Sequence, residues 1–226
     1  MLHKIRAVRL HLIAALFIAG CGGGGGSGAN PTLQQNLQSA RAPAEPMSIS
    51  STTLTATDSS GNNWGVTYSS TPGGMAMFNG QNANTSMIAL TVSENGAVVA
   101  TEDSTAYYLA SPYSPLGLSG TTSGTAWTAV ISGYTPLPST LTVGGSGALL
   151  SATYYDGMGS TIGSLTETYT VTANSPTALF LNIDAAGSIN GVQDTETLTY
   201  SIASDGTVGA LVQAQITVNG TTVTFR

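Results

Sequence analysis

Beyond residue 46, apolar and polar positions alternate with a period of two. Leu165, Glu167, Tyr169 and Val171 fall on one side of a file whose other side is Thr166, Thr168, Thr170 and Thr172. Leu198, Tyr200 and Ile202 oppose Thr197, Thr199 and Ser201 in the same way. Val208, Ala210, Val212, Ala214, Ile216 and Val218 recur at every second position, with Gln213, Gln215 and Thr217 between them. A strand places successive side chains on opposite faces, so such files read as strands with one face in a core and one in water. Further strands are predicted at residues 52–57, 65–69, 75–78, 86–93, 97–101, 106–110, 125–132, 140–143, 148–155, 177–183 and 221–225. Asn95-Gly96, Asp156-Gly157, Asp205-Gly206 and Asn219-Gly220 supply tight turns, because both central residues of a type I′ turn need positive φ. Residues 111–139 read as a loop-rich seam, and only residues 34–41 offer a helical turn or two. The pattern predicts an all-β fold: an antiparallel, hairpin-rich meander, closed as a barrel or folded into two layers. A Greek-key sandwich is the alternative. One domain spans residues 47–226, with residues 48–135 and 136–226 as two possibly similar halves.

The first twenty residues follow another rule. Lys4, Arg6 and Arg9 precede an apolar run at residues 12–19, and the small residues Ala19 and Gly20 stand before Cys21, the chain's single cysteine. The run is too short for a spanning helix, which needs about 20 apolar residues. Positive start, short apolar centre and small-residue exit describe an export signal. Ile18-Ala19-Gly20-Cys21 resembles the lipobox of bacterial lipoproteins. That resemblance implies cleavage between Gly20 and Cys21 and a covalent lipid on Cys21, with no other cofactor. Gly22 stands where an inner-membrane retention aspartate would be, which implies the outer membrane; which of its faces the domain meets is left open. Residues 22–46, opening on five glycines, form the tether. A flexible chain of that length spans about 25–30 Å.

Once residues 1–20 are removed, both histidines and three of the five basic residues are gone. Arg41 and Arg226 remain against eleven acidic side chains. Such a surface does not suit nucleic acid or anionic lipid, both of which need Lys and Arg opposite phosphate. Without histidine, lysine or a free thiol there is no Ser-His-Asp or Cys-His nucleophile, no Schiff base and no His/Cys zinc or copper site. Carboxylate chemistry and oxygen-ligand calcium sites remain.

The acidic side chains are therefore the candidates for chemistry. Asp58 and Asn62 have the spacing of the start of a calcium loop, and Asp184 with Asp194 brackets a polar stretch read as a long hairpin loop; for both, local backbone capping is the competing reading. No metal is assigned. Asp194 with Glu196, and Glu94 with Glu102 or Asp103, are the acid pairs open to glycosidase geometry. Glu167 stands out because it shares a file with Leu165, Tyr169 and Val171. It is expected at a strand's frayed end, or inside the fold accepting a tyrosine O–H, where burial would raise its pKa. Among aromatics, Tyr107, Tyr108, Tyr113 and Tyr134 are candidates for binding a partner, against plain cross-strand packing.

Residues 135–147 (TPLPSTLTVGGSG), the Asn190-Gly191 segment and the closing residues 218–225 (VNGTTVTF), together with the glycine run after the cysteine, resemble uncharacterised lipoproteins of proteobacteria. That resemblance implies no catalytic residues. The expected function is thus that of a non-catalytic envelope lipoprotein. It is held to the membrane by its lipid, and its β domain serves an interaction with an unknown protein or glycan or a structural role. A barrel carrying a small hydrophobic ligand is the alternative, and a carboxylate-based glycoside hydrolase a more remote one.

Overall fold

The computed structural model describes residues 34–36, 52–58, 61–110, 113–122, 124–175, 178–203, 208–218 and 221–226. Cys21, Gly20, the glycine run and the Asp205-Gly206 and Asn219-Gly220 turns lie outside the described residues.

Fourteen strands are present among the described residues: β1 (Gln34–Asn36), β2 (Thr52–Thr57), β3 (Asn63–Phe78), β4 (Gln81–Glu94), β5 (Ala97–Ala110), β6 (Tyr113–Thr122), β7 (Thr125–Tyr134), β8 (Thr140–Thr142), β9 (Ser146–Asp156), β10 (Thr161–Ser175), β11 (Ala178–Ile189), β12 (Val192–Ile202), β13 (Val208–Val218) and β14 (Thr221–Phe225). Twelve of them form one antiparallel sheet whose spatial order follows the chain order, with β1 and β8 left out as a separate pair. That order belongs to a meander and excludes the Greek-key alternative. The two ends of the sheet meet: Thr55 N–H donates to Arg226 O at 3.0 Å, and Arg226 N–H donates back to Thr55 O at 2.9 Å. The fold is a nearly closed barrel, which leaves little free edge for another chain to pair with.

The turns follow their chemistry. Asn79-Gly80, Asn95-Gly96 and Asn190-Gly191 each hold positive φ at both positions, as a two-residue hairpin of type I′ requires. Asp156 shapes its loop differently, through Oδ1, which accepts from the N–H of Met158 and of Ser160.

Several expectations need correcting. Residues 34–36 are a short strand paired with β8, where a helical turn was expected. The expected seam at 111–139 holds β6 and β7, so only residues 135–139 remain irregular before β8. Expected strands 65–69 and 75–78 are one strand carrying a bulge between Pro72 and Met75, and 97–101 and 106–110 are likewise one strand, running through Glu102 and Asp103. The polar stretch 184–194 is no long loop. It is the ends of β11 and β12 around Asn190-Gly191.

Alternate residues of each strand line the inside. Leu179, Leu181, Ile183, Leu198, Ile202 and Val171 form its most tightly packed part. The outside of β10 to β12 carries hydroxyls and amides, joined across strands: Thr197 donates to Asp184 at 2.7 Å and Thr199 to Asn182 at 2.9 Å.

Candidate functional site: an acidic belt inside the barrel

Four carboxyl side chains sit on inward positions of three strands. Glu102 comes from β5, Glu167 from β10, and Asp194 and Glu196 from β12. Glu167 and Glu196 both stand directly opposite Ala185 of β11, one on either side of it. Two strand spacings separate them, about 10 Å between backbones, with only the small Ala185 side chain on the inward face of the strand between them. Glu102 faces them from the other side of the barrel, since the sheet order puts several strands between β5 and β10 in one direction and between β5 and β12 in the other.

Aromatic rings complete the belt. Trp127 lies opposite Gly120, where a Cβ would come within 2.9 Å of its ring, so only glycine lets the indole lie against the wall. That ring is tilted against Tyr154, centroids 5.8 Å apart. Trp127 Nε1–H donates to Thr122 Oγ1, whose hydroxyl donates to Glu102 Oε2, each at 3.0 Å. Tyr200, four residues after Glu196 and therefore on the same face, turns its hydroxyl inward with Tyr68 nearby.

Burial dominates the electrostatics. Glu102, Glu167 and Glu196 are 3 %, 1 % and 6 % exposed. Loss of water pushes Glu167 up to about 8. Glu102 rises to about 8 for the same reason, although the Thr122 hydroxyl pulls it down and the Asp103 charge adds a little. Glu196 is raised well above the usual carboxylate range by burial, then by the charges of Asp194, Glu167 and Glu102. Asp194, half-buried and held back by the Thr195 backbone N–H, is raised to about 6. Burial likewise raises the phenols of Tyr154 and Tyr200, with further contributions from Glu167 and Glu196.

Hydrogen bonding leaves this belt unfinished. Both oxygens of Glu167, Oε1 of Glu102, Oε1 of Glu196, Ser104 Oγ and Tyr200 OH are buried without a partner. Native folds satisfy most buried polar atoms, so six such atoms around the inside of one barrel call for an explanation. No basic side chain answers them: Arg226, the single Lys or Arg among the described residues, is exposed and donates to Gln213.

The other expected site residues fall elsewhere. Asp58 is consumed locally, accepting from Asn62 N–H at 2.9 Å, Asn62 Nδ2 at 3.0 Å and Trp64 Nε1 at 3.1 Å. Asp184 and Asp194 point to opposite faces of the sheet and cannot share an ion. Among the described residues no three His, Cys, Asp or Glu side chains are placed to hold a metal. Tyr107 is half-buried, stacked on Phe78 at 4.4 Å, with its hydroxyl 3.0 Å from Ser119 Oγ. Tyr108 is 5 % exposed, Tyr134 packs against the core, and the Tyr113 side chain lies outside the described residues. Glu167, expected at a frayed end or beneath a tyrosine hydroxyl, sits mid-strand with neither oxygen hydrogen-bonded. Of the acid pairs, Asp194 and Glu196 do share a face, whereas Glu94 sits at the Asn95-Gly96 turn, four residues along β4 from Leu90, the partner of Glu102, and Asp103 faces outward. The sequence signal for the belt was present: an acid at the apolar parity of its file, as at Glu167 and at Glu196 before Leu198 and Tyr200.

In comparisons with known proteins, no family model, no curated protein and no solved structure matches this chain.

Proposed function

We propose that this chain is a lipid-anchored protein of the bacterial cell envelope, tethered through Cys21 and held at the outer membrane. Its barrel acts there as a non-catalytic binding module with the ligand inside. One observation carries the binding role: buried, unpartnered polar groups, led by Glu167, Glu196 and Tyr200, line the inner wall of a nearly closed barrel. Small ligands are commonly held in barrels of this kind, where a few polar groups fix orientation within an apolar enclosure. The outward side chains of β10 to β12 are mostly hydroxyls and amides with Asp184 among them, and Phe180 is the one large apolar side chain on the outer face of β11. A barrel crossing a bilayer would need an apolar band there, so the lipid on Cys21 is the membrane link in this reading. Tyr107 and Tyr108 are engaged in the barrel's own packing, which leaves the interior as the stronger candidate than a tyrosine patch.

Two measurements test the proposal. Cys21→Ser is expected to accumulate as unlipidated precursor and to lose membrane association on fractionation; unchanged association overturns the anchor. Native mass spectrometry of the lipidated full chain is expected to show an extra mass that leaves on denaturation. A bare mass, even after incubation with a metabolite extract, overturns the interior ligand.

A further inference from the structure

We propose that the acidic belt is a binding site for a small organic polycation, an amine bearing two or more ammonium groups, recognised by Glu102, Glu167, Asp194 and Glu196 with Tyr200 and Tyr154 beside them. This inference rests on the binding role above and specifies its ligand class.

Charge balance comes first. Carboxyls this deep must be neutralised by protons or by a partner cation, because an isolated buried charge costs far more than a fold can supply. Among the described residues the chain offers no cation to the belt: Arg226, their single Lys or Arg, is engaged outside with Gln213. The partner, if not a proton, comes from solution.

Spacing then selects its chemistry. A single metal ion needs oxygens converging on one point, and among the described residues no such group exists. Glu167 and Glu196 flank Ala185, and Glu102 faces them across the barrel. Donors separated by several methylenes match carboxyls so distributed. Each ammonium carries three N–H donors, which suits the unpartnered oxygens of Glu167, Glu102 and Glu196 and the free hydroxyl of Tyr200. The Trp127 and Tyr154 rings offer apolar faces for the methylenes and attract the charge.

A way in is marked by Asp194. It lies on the same face as Glu196, two residues nearer the Asn190-Gly191 hairpin, and is only half-buried. A polycation reaching the belt would displace protons from the glutamates as it paired with them. Binding therefore releases protons and tightens as pH rises through about 8.

The test is isothermal titration of the full-length protein with spermidine at pH 8, in two buffers of different ionisation enthalpy and at constant ionic strength. Saturable binding with net proton release is expected. The isosteric pair Glu167→Gln with Glu196→Gln should weaken it at least tenfold, whereas Asp184→Asn on the outer face should leave it unchanged. Thermal melts confirm that each variant is folded. Absence of saturable binding, or equal affinity in the double variant, overturns the polycation. A native adduct persisting without spermidine binding would remove this inference alone; absence of both would remove the interior-ligand reading as well.

Discussion

Asp184 and Ala185 are neighbours in β11, yet they belong to two different chemistries. Asp184 faces out, accepts hydroxyl donors from Thr197 at 2.7 Å and Thr170 at 3.4 Å, and stays in contact with water. Ala185 faces in, between Glu167 and Glu196, whose oxygens are buried and lack a full set of protein donors. The same functional group is thus unremarkable on one face and costly on the other. A carboxylate on a wet threonine face needs no explanation, whereas one at the apolar parity of a strand marks a site.

The comparison can be broken most forcefully through packing. Leu181→Ala on the inner face is expected to cost about 2–5 kcal/mol through lost burial and the cavity left behind, whereas Thr168→Ala outside should stay within about 0.5 kcal/mol. Urea denaturation of the two variants checks this, and similar losses would mean that the two faces are not so different.

Next in size is the pH dependence of the inner acids. Glu102 and Glu167 rise from 4.5 to about 8 on folding, so between those values the folded state binds more protons than the unfolded one. Their contribution is fully present below about pH 4.5 and is lost as pH rises through about 8. Asp194, raised to about 6, loses its share earlier. The groups facing this belt are Glu102, Tyr154, Glu167, Asp194, Glu196, Tyr200 and Tyr68, with no base among them. Stability in urea should therefore fall by a few kcal/mol between pH 4.5 and pH 9. Glu167→Gln should be more stable than the parent at pH 9 and close to it at pH 4.5. A flat profile would contradict the desolvation of the belt.

The smallest effect sharpens the outer side. Asp184→Asn keeps an oxygen to accept from Thr197 and offers Thr170, whose hydroxyl can turn to accept, an N–H instead, so its change should stay below about 0.5 kcal/mol at either pH. A larger loss would show that the outer ladder depends on charge.

Much of the fold was legible because period-two alternation survives even where propensity is weak. Residues 52–57 and 208–218 are strands over the expected spans. Residues 113–122 escaped because Gly117 and Gly120 resemble loop punctuation; in the barrel they are close-approach positions, Gly117 beneath Phe78 and Gly120 beneath Trp127. Acidic residues misled the reading of 97–110 and 184–194 in the same way, by suggesting solvent where the strand continues inside. The tyrosine pairs illustrate the opposite limit. Alternation says that Tyr107 and Tyr108 face opposite ways, but not that Phe78 covers the one that points away from the core.

What the sequence determined by itself is the class: alternation dictates strands and Asn-Gly turns dictate hairpins, which left both a meander and a Greek key open until the strand order was seen. It also identified Glu167 as an acid out of place, since parity is local and readable. Only the tertiary structure decided that the strands form a meander that nearly closes, that Glu102, Glu167 and Glu196 face one interior, and that no base among the described residues accompanies them there. Closure depends on the sum of twist and register over twelve strands. No local pattern records that sum, so which distant side chains meet inside became known only once the barrel was built.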